Sequence, residues 1–143
     1  MNDLKQLLPE KHIKVVDSVD NWQRAVKLAS EPLQKENLIT SVYVTNMIES
    51  AKKNGPYMVL TDYFALMHAK AGEGVKKQSM SLLVTKESID LEGKPVKIFL
   101  ILAAEDNQSH LKSLQEIMNV FMDEQKYRTI LDGNRTEIIN LFK

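Results

Sequence analysis

Three histidines, His12, His68 and His110, are the residues of this chain best suited to chemistry at neutral pH. The sequence has no cysteine, which excludes a thiol nucleophile, a disulfide and a thiolate metal site within it. Its 19 Lys and Arg residues balance 19 Asp and Glu residues, so no broad field attracts nucleic acid or anionic lipid. Any chemistry must therefore use nitrogen or oxygen atoms, and nucleic-acid binding is not expected.

Two of the histidines follow apolar segments with strand character. His68 comes directly after Tyr63 to Met67, and His110 lies in the first turn of a predicted helix that follows the apolar run 96–104. Ligands of open α/β sheets bind at strand ends, so the two imidazoles could face one another across one site. The spacing alone leaves equally open that both are hydrogen-bonded structural histidines. His12, at the edge of the first predicted strand with no polar cluster beside it, is predicted to be a surface residue.

Missing motifs disfavour three kinds of histidine site. A metal site would need a third ligand, for which Glu73, Glu105 and Asp106 are available, but no H-E-x-x-H spacing occurs. A hydrolase would need a nucleophile elbow, G-x-S-x-G, which is absent, and Ser109 is better explained as a neighbour of a helix cap. Neither G-x-x-x-x-G-K-[ST] nor G-x-G-x-x-G is present to hold a nucleotide phosphate.

The chemistry that remains is direct phosphorylation of histidine. A neutral imidazole has one free lone pair and a pKa of about 6.5, so at neutral pH much of it is nucleophilic without an activating base. A phosphoryl group is strongly anionic and needs hydrogen-bond donors around it. The candidate donors are Lys70, Asn107, Ser109, His110 and the unpaired amides at the start of the helix 107–122. Gly72 and Gly74 would leave room for a partner protein to bring its own phosphohistidine close.

The elements that must position these residues alternate along the chain. The patterns predict strands at 12–17, 57–60, 79–86 and 96–104, and helices from Asp20 to about Leu33 and at 41–53, 107–122, 124–131 and 135–142. Pro32 is expected to kink or split the first helix because its ring removes one donor. The helix 107–122 is expected to carry one apolar stripe, formed by Leu111, Leu114, Ile117, Met118, Phe121 and Met122. This order, β-α-α-β-β-β-α-α-α, predicts a single α/β domain over 1–143 in which helices cover a sheet.

No apolar stretch is long enough to suggest a membrane segment. Nowhere do 18 apolar residues run together, and the apolar part of the N-terminal M-N-D-L-K-Q-L-L-P-E is too short for a signal peptide. The sequence predicts a cytoplasmic protein without direct membrane insertion.

The motifs between Gly55 and Glu124 resemble those of the IIA component of the bacterial sugar phosphotransferase system. They are G-P-Y-M-V-L, F-A-L-M-H-A-K-A-G-E-G-V-K-K, S-L-L-V, P-V-K-I-F-L-I-L-A-A-E-D-N-Q-S-H and N-V-F-M-D-E. The active histidine, the E-G-V-K-K run and the junction A-A-x-D-x-x-x-H occur in the family's order and at compatible distances. The sequence is most similar to the fructose and mannitol superfamily, and within it to the ascorbate-type branch.

This resemblance implies a relay and a mixed sheet flanked by helices. His68 would be the phosphoacceptor and His110 the second active-site histidine, which stabilises the phosphoryl group. The histidine phosphocarrier protein would be the donor and a IIB component the acceptor, with a IIC permease reached indirectly. The carbohydrate would be of the ascorbate or pentitol type, and no metal, nucleotide or other cofactor is expected. A regulatory domain of the same fold, acting by phosphorylation-dependent contact, is the alternative.

Four residues depart from the family's pattern. Met67 stands where the family usually has proline, and Asp62 and Tyr63 replace a P-G pair. Lys70 replaces an arginine, which keeps the charge but loses the bidentate fork that arginine offers to a phosphate. These departures bear on the transfer rate and on the choice of partner. The sequence leaves the oligomeric state open, with a homodimer as one option.

Overall fold

The computed structural model describes residues 4–143, which form a five-stranded mixed sheet in the order β1-β4-β5-β3-β2. The strands are β1 (Ile13–Val16), β2 (Val59–Thr61), β3 (Tyr63–Met67), β4 (Ser79–Leu91) and β5 (Lys94–Ala103). The helices are α1 (Leu4–Leu7), α2 (Trp22–Lys35), α3 (Ser41–Asn54), α4 (Asn107–Phe121), α5 (Glu124–Asp132) and α6 (Arg135–Leu141), with 3-10 turns at Glu10–His12 and Pro56–Met58. β1 is parallel to β4 and β3 to β5, whereas the pairs β2–β3 and β4–β5 are antiparallel.

The two faces of the sheet bury two separate apolar clusters. Helices α2 and α3 cover one face, where Leu83 and Phe99 lie, and α1, α4, α5 and α6 cover the other, where Leu82 and Leu100 lie. Successive side chains of a strand point to opposite faces, so a strand covered on both sides is apolar at every position. This explains the unbroken apolar run of β5 and confirms the predicted α/β sheet flanked by helices.

The number of strands differs from the prediction. The predicted order contained four strands, whereas the described chain has five, because Tyr63–Met67 is a strand of its own. The first half of the predicted strand 57–60 lies in the 3-10 turn Pro56–Met58, and the second half lies in β2, which begins at Val59. The turn between β4 and β5 consists of Glu92 and Gly93 alone, with φ of 48° and 103°, as a tight two-residue hairpin requires.

Helix α2 continues through Pro32, so the predicted break does not occur. Proline lacks the N–H that would bond to the carbonyl four residues earlier, here that of Leu28. The Nζ atom of Lys14 lies 3.4 Å from this Leu28 oxygen and supplies the missing donor. The helix begins one residue later than predicted, since its N-cap is Asn21, whose side chain accepts from the Arg24 N–H.

Helix α4 is rotated relative to the predicted apolar stripe. Ile117 and Phe121 are buried as expected, but Leu111 and Met122 are 61% and 75% exposed. Two contacts set this orientation. The hydroxyl of buried Ser113 accepts a hydrogen bond from Gln78 at 2.7 Å, and the ring of Phe121 stacks on Phe64 with 4.1 Å between centroids.

His12 is buried, which corrects the prediction of a surface residue. It is only 3% exposed, and its Nδ1 lies 2.8 Å from the Met80 carbonyl oxygen. Its Nε2 lies 2.6 Å from the carboxylate of Glu36, which also pairs with Lys11 at 3.1 Å. These contacts join the start of β4 to the end of α2, and both partners are far from His12 in the sequence.

Tyr63 has a backbone conformation that ordinarily requires glycine. Its φ is 68°, in the left-handed region that a bulky residue rarely adopts. This is the position of the glycine in the P-G pair that the resembling family usually has. The sequence departure therefore corresponds to a strained backbone at the start of β3.

We predict that Tyr63→Gly is more stable than Tyr63→Ala by about 1 kcal/mol, because only glycine relieves the left-handed strain. Urea unfolding of the two variants measures this difference. The same two substitutions at Leu60, on the neighbouring edge strand, serve as the control. At this position Leu60→Ala should be more stable than Leu60→Gly by about 0.5 to 1 kcal/mol, since glycine loses more chain entropy on folding. The same ranking at both positions would contradict the prediction.

Candidate functional site

His68 and His110 meet at one edge of the sheet. Strands β3 and β5 are parallel neighbours, so their carboxyl ends lie side by side. His68 directly follows β3, and His110 lies in the first turn of α4, which begins soon after β5. The two ring centroids are 5.3 Å apart with an angle of 52° between the ring planes. The expectation that the two imidazoles face one another is confirmed by this geometry.

One hydrogen bond fixes the tautomer of His68. Its Nδ1 lies 2.9 Å from the Leu66 carbonyl oxygen. A carbonyl oxygen can only accept, so Nδ1 carries the proton and Nε2 keeps its lone pair in the neutral ring. The edge of the Tyr57 ring approaches the His68 ring with 6.1 Å between centroids. The ring is half-buried, and a nucleophilic nitrogen is therefore present on a well-oriented side chain.

His110 is held in its neutral form at neutral pH. Burial, and then the nearby His68 ring, lower the pKa of His110 below its usual value. A neutral imidazole has one N–H and one lone pair. His110 can therefore donate one hydrogen bond to a group bound beside His68.

The two histidines line an open cavity of about 440 Å³ whose other walls come from α3, the 3-10 turn Pro56–Met58 and the loop after β3. Of the predicted donors, Lys70 and Asn107 also line this cavity. The Lys70 side chain is 78% exposed, and its Nζ lies 3.8 Å from the Glu73 carboxylate. A loose, exposed pair of this kind leaves the ammonium free to move toward an anion.

Ser109 belongs to the helix cap, and it is not among the described residues that line the cavity. Its N–H donates to the Asp106 carboxylate at 2.7 Å. Hydrogen bonds from the backbone and side chain of Ser109, and from the Gln108 amide, lower the pKa of Asp106. The amides expected to be free at the start of α4 are thus partly occupied by the side chain of Asp106.

Gly72 and Gly74 are required by packing within the chain. Both have positive φ, and a Cβ at residue 74 would lie 2.7 Å from the Tyr43 backbone nitrogen. The Gly72 N–H donates to the Ala104 carbonyl at 2.9 Å, and a Cβ there would lie 3.2 Å from the Glu105 oxygen. These glycines let the loop pack against α3 and the end of β5, and the expectation that they also make room for a partner stays a prediction.

Tyr43 supports the site and was not singled out by sequence reasoning. Its buried hydroxyl accepts from the Ala69 N–H at 3.1 Å and donates to the Leu102 carbonyl, which joins the residue after His68 to β5. Burial raises the pKa of Tyr43 to about 12, so the phenol keeps its proton. An aromatic residue on the inner face of a helix gives no sequence signal beyond core packing.

Two further findings bear on the alternatives. Within residues 4–143, no group of three or more His, Asp or Glu side chains is arranged to hold a metal ion. No helix in this range is long and apolar enough to cross a membrane.

The sequence matches one known family over almost its whole length. Residues 6–143 match the model of the family described as phosphoenolpyruvate-dependent sugar phosphotransferase system, EIIA 2. The mannitol-specific cryptic phosphotransferase enzyme IIA component of Escherichia coli K12 is 29% identical over 133 residues, which cover 92% of this chain and 90% of that protein. The ascorbate-specific EIIA component of the same strain is 29% identical over 125 residues, covering 85% of this chain and 81% of that protein.

Solved structures have the same fold. The solution structure of the mannitol-specific cryptic enzyme IIA from Escherichia coli superposes with a TM-score of 0.91 at 26% identity, covering 99% of this chain and 98% of that one. The mannitol IIA in a complex with phosphorylated IIB from Escherichia coli superposes with a TM-score of 0.78 at 20% identity, covering 92% of this chain and 94% of that one. The likeness to the second structure concerns the fold alone.

Proposed function

The chain belongs to the EIIA 2 family of the phosphoenolpyruvate-dependent sugar phosphotransferase system, and we propose that it carries a phosphoryl group on His68 within such a system. The observation that carries this proposal is the Nδ1 hydrogen bond of His68 to Leu66. It leaves the lone pair of Nε2 available beside an open cavity, with the His110 ring 5.3 Å away.

The proposed reaction exchanges one N–P bond for another. The Nε2 lone pair of His68 attacks the phosphorus atom of a phosphohistidine on the donor protein. A new N–P bond forms, the donor's N–P bond breaks, and its electron pair returns to the donor ring. The His68 ring gains positive charge, which the Leu66 carbonyl stabilises through Nδ1–H. No proton needs to leave His68.

The neighbouring donors would stabilise the phosphoryl group. The neutral His110 ring donates one hydrogen bond, and Asn107 presents its amide from the start of α4. The Lys70 ammonium can leave its 3.8 Å contact with Glu73 for the more highly charged phosphoryl group. Lysine offers a point charge where a bidentate arginine would also fix the orientation.

The partners follow from the family. We assign a IIB component as acceptor, because mannitol IIA of Escherichia coli occurs in a complex with phosphorylated IIB. The histidine phosphocarrier protein is proposed as donor from the resemblance to the family. A IIC permease then takes part only indirectly. The relatives reported above are named for mannitol and for ascorbate, so of the ascorbate or pentitol type of carbohydrate expected from the sequence we favour the ascorbate type. We also propose a cytoplasmic location for this chain, because the partners assigned to it would be cytoplasmic phosphoproteins.

Reconstituted phosphoryl transfer tests the proposal. The protein is incubated with phosphoenolpyruvate, enzyme I and the phosphocarrier protein, and acid-labile phosphate is mapped by mass spectrometry. We expect phosphate on His68 that a purified IIB component removes. A protein that accepts no phosphate from an active donor contradicts the proposal. Phosphate on His68 that no IIB component accepts would instead support the regulatory alternative.

Leu111 is expected to contact the partner proteins. It follows His110 directly and is 61% exposed. An apolar side chain that becomes buried in an interface contributes on the order of 1 kcal/mol or more to affinity. Leu111→Ser should therefore raise the donor concentration needed for half-maximal phosphorylation by about tenfold.

Met122→Ser is the matched control for this prediction, because Met122 is 75% exposed on the same helix but at its far end. Both substitutions should leave the free energy of unfolding almost unchanged. Steady-state phosphorylation at varied donor concentration gives the comparison. Equal effects of the two substitutions would count against a docking role of Leu111.

A further inference from the structure

Gln78 forms a reciprocal pair of hydrogen bonds with Glu105. Its backbone N–H donates to the Glu105 carboxylate at 2.8 Å, and its side-chain carbonyl accepts from the Glu105 N–H at 3.0 Å. Gln78 is the last residue of the loop that connects β3 to β4, and Glu105 lies between β5 and α4. The two bonds therefore attach the far end of the His68 loop to the segment that leads into α4.

The same side chain also bonds to α4 itself. Its Nε2 donates to the hydroxyl of Ser113 at 2.7 Å and lies 3.4 Å from the Ser109 carbonyl. These residues lie on either side of His110 in the sequence. Gln78 is only 6% exposed, so water cannot replace these partners easily. Only a carboxamide can accept from one neighbour and donate to two others in this way.

We propose that Gln78 is a positioning residue for phosphoryl transfer, which fixes the His110 ring relative to His68. This inference rests on the proposed function. His68 is held at one end of the loop, by Leu66 through its ring and by Tyr43 through the next residue. Gln78 holds the other end of the loop to the helix that carries His110. Loss of its hydrogen bonds lets α4 shift relative to β3 without removing any reacting group.

Two substitutions at residue 78 test this role. Gln78→Met has a similar size and keeps the backbone N–H bond to Glu105, but it makes none of the side-chain hydrogen bonds. Gln78→Glu keeps the acceptor but cannot donate to Ser109. At saturating donor, Gln78→Met should slow phosphorylation of His68 by about 100-fold, the loss that misplacement by about 1 Å can cause. Phosphorylation of His68 should also be slower in Gln78→Glu than in the wild type. The concentration of donor at half-maximal rate should stay unchanged, because the docking surface is intact.

Ser81→Ala is the matched control. The Ser81 hydroxyl donates to the Ala29 carbonyl in α2, so this variant also loses a buried hydrogen bond of β4 but leaves α4 and the His68 loop untouched. Its transfer rate should equal that of the wild type even if it unfolds at a lower urea concentration. Equal slowing of Ser81→Ala and Gln78→Met would overturn the positioning role in favour of a general loss of stability.

A pH titration of His110 by NMR provides a readout that needs no donor protein. In the wild type, burial and the nearby His68 ring keep the pKa of His110 low. In folded Gln78→Met this pKa should move toward its usual value, and in Ser81→Ala it should not. A wild type that accepts no phosphate would overturn only the proposed function. Folded Gln78→Met with unchanged titration and unchanged transfer would overturn the inference.

If Gln78→Met does not fold, Ser113→Ala replaces it in both experiments. This variant removes the 2.7 Å hydrogen bond alone and keeps the pair with Glu105. The expected changes have the same direction and are smaller. An unchanged titration of His110 together with an unchanged transfer rate in Ser113→Ala overturns the inference in that case.

Discussion

Replacing His68 by alanine should abolish phosphoryl acceptance completely. The attacking atom is Nε2 of His68, which the Nδ1 hydrogen bond to Leu66 leaves with a free lone pair. No nearby group can replace it in the same position, since His110 belongs to a different element and approaches from α4. Incubation with phosphoenolpyruvate, enzyme I and the phosphocarrier protein should leave no detectable acid-labile phosphate on this variant.

His12 supplies the control histidine for this experiment. Both of its ring nitrogens have partners, at 2.8 Å and 2.6 Å, and the side chain is buried. We therefore expect His12→Ala to accept phosphate like the wild type while it remains folded. The substitution should lower the free energy of unfolding, because the Met80 carbonyl and the carboxylate of Glu36 each lose a hydrogen-bond partner. Phosphate found on His110 in the His68→Ala variant would contradict the assignment of a single acceptor.

The site could be predicted as far as its two histidines and two of the candidate donors, Lys70 and Asn107, which line the same cavity. His68 and His110 each follow an apolar strand, and such strand ends lie at one edge when the strands are parallel neighbours. Their positions could thus be reasoned from local patterns and from the order of motifs. The residues that support the two histidines could not be predicted from local patterns. Gln78 looks like a turn residue, and its partners Glu105 and Ser113 lie 27 and 35 residues away.

The prediction that His12 lies at the surface was wrong for the same physical reason. Its place at the edge of the first predicted strand, with no polar cluster beside it in the sequence, suggested exposure, but its partners are Met80 and Glu36. These partners lie 68 and 24 residues away, and only the folded chain brings them together. A buried polar side chain is recognisable from its hydrogen bonds, which no local pattern encodes.

The fold was predictable where burial alone decides the pattern. Strand β5 is covered on both faces, so its apolar run follows directly from its place in the sheet. Helix α4 shows the limit of this argument. Its sequence contains more apolar residues than the core can bury, and contacts of Ser113 and Phe121 decide which of them face solvent. Leu111 and Met122 are left exposed as a result.

His110→Ala should slow phosphorylation of His68 by about 100-fold without abolishing it, the usual effect of losing one donor to a developing negative charge. The reason is that His110, with its ring 5.3 Å from that of His68, can donate to the incoming phosphoryl oxygen. Rapid-quench measurements at saturating donor give the rate. His110→Gln retains an N–H donor, so its rate of His68 phosphorylation should fall less than that of His110→Ala. A rate equal to that of the wild type in His110→Ala would remove this residue from the mechanism.

Phosphorylation of His68 should in turn raise the pKa of His110. In the free protein, burial and the neighbouring imidazole favour the neutral ring and lower this pKa. A phosphoryl dianion on Nε2 of His68 favours the charged ring of His110, and an opposite charge within about 4 to 6 Å shifts a pKa by roughly 1 to 3 units. At a pH between the pKa values of His110 in the free and the phosphorylated protein, phosphorylation is therefore accompanied by proton uptake at His110. Because the phosphorylated protein binds this extra proton, it becomes more favourable relative to the free protein as the pH falls. NMR titration of His110 before and after phosphorylation measures the shift, and an unchanged pKa would mean that the phosphoryl group lies away from His110.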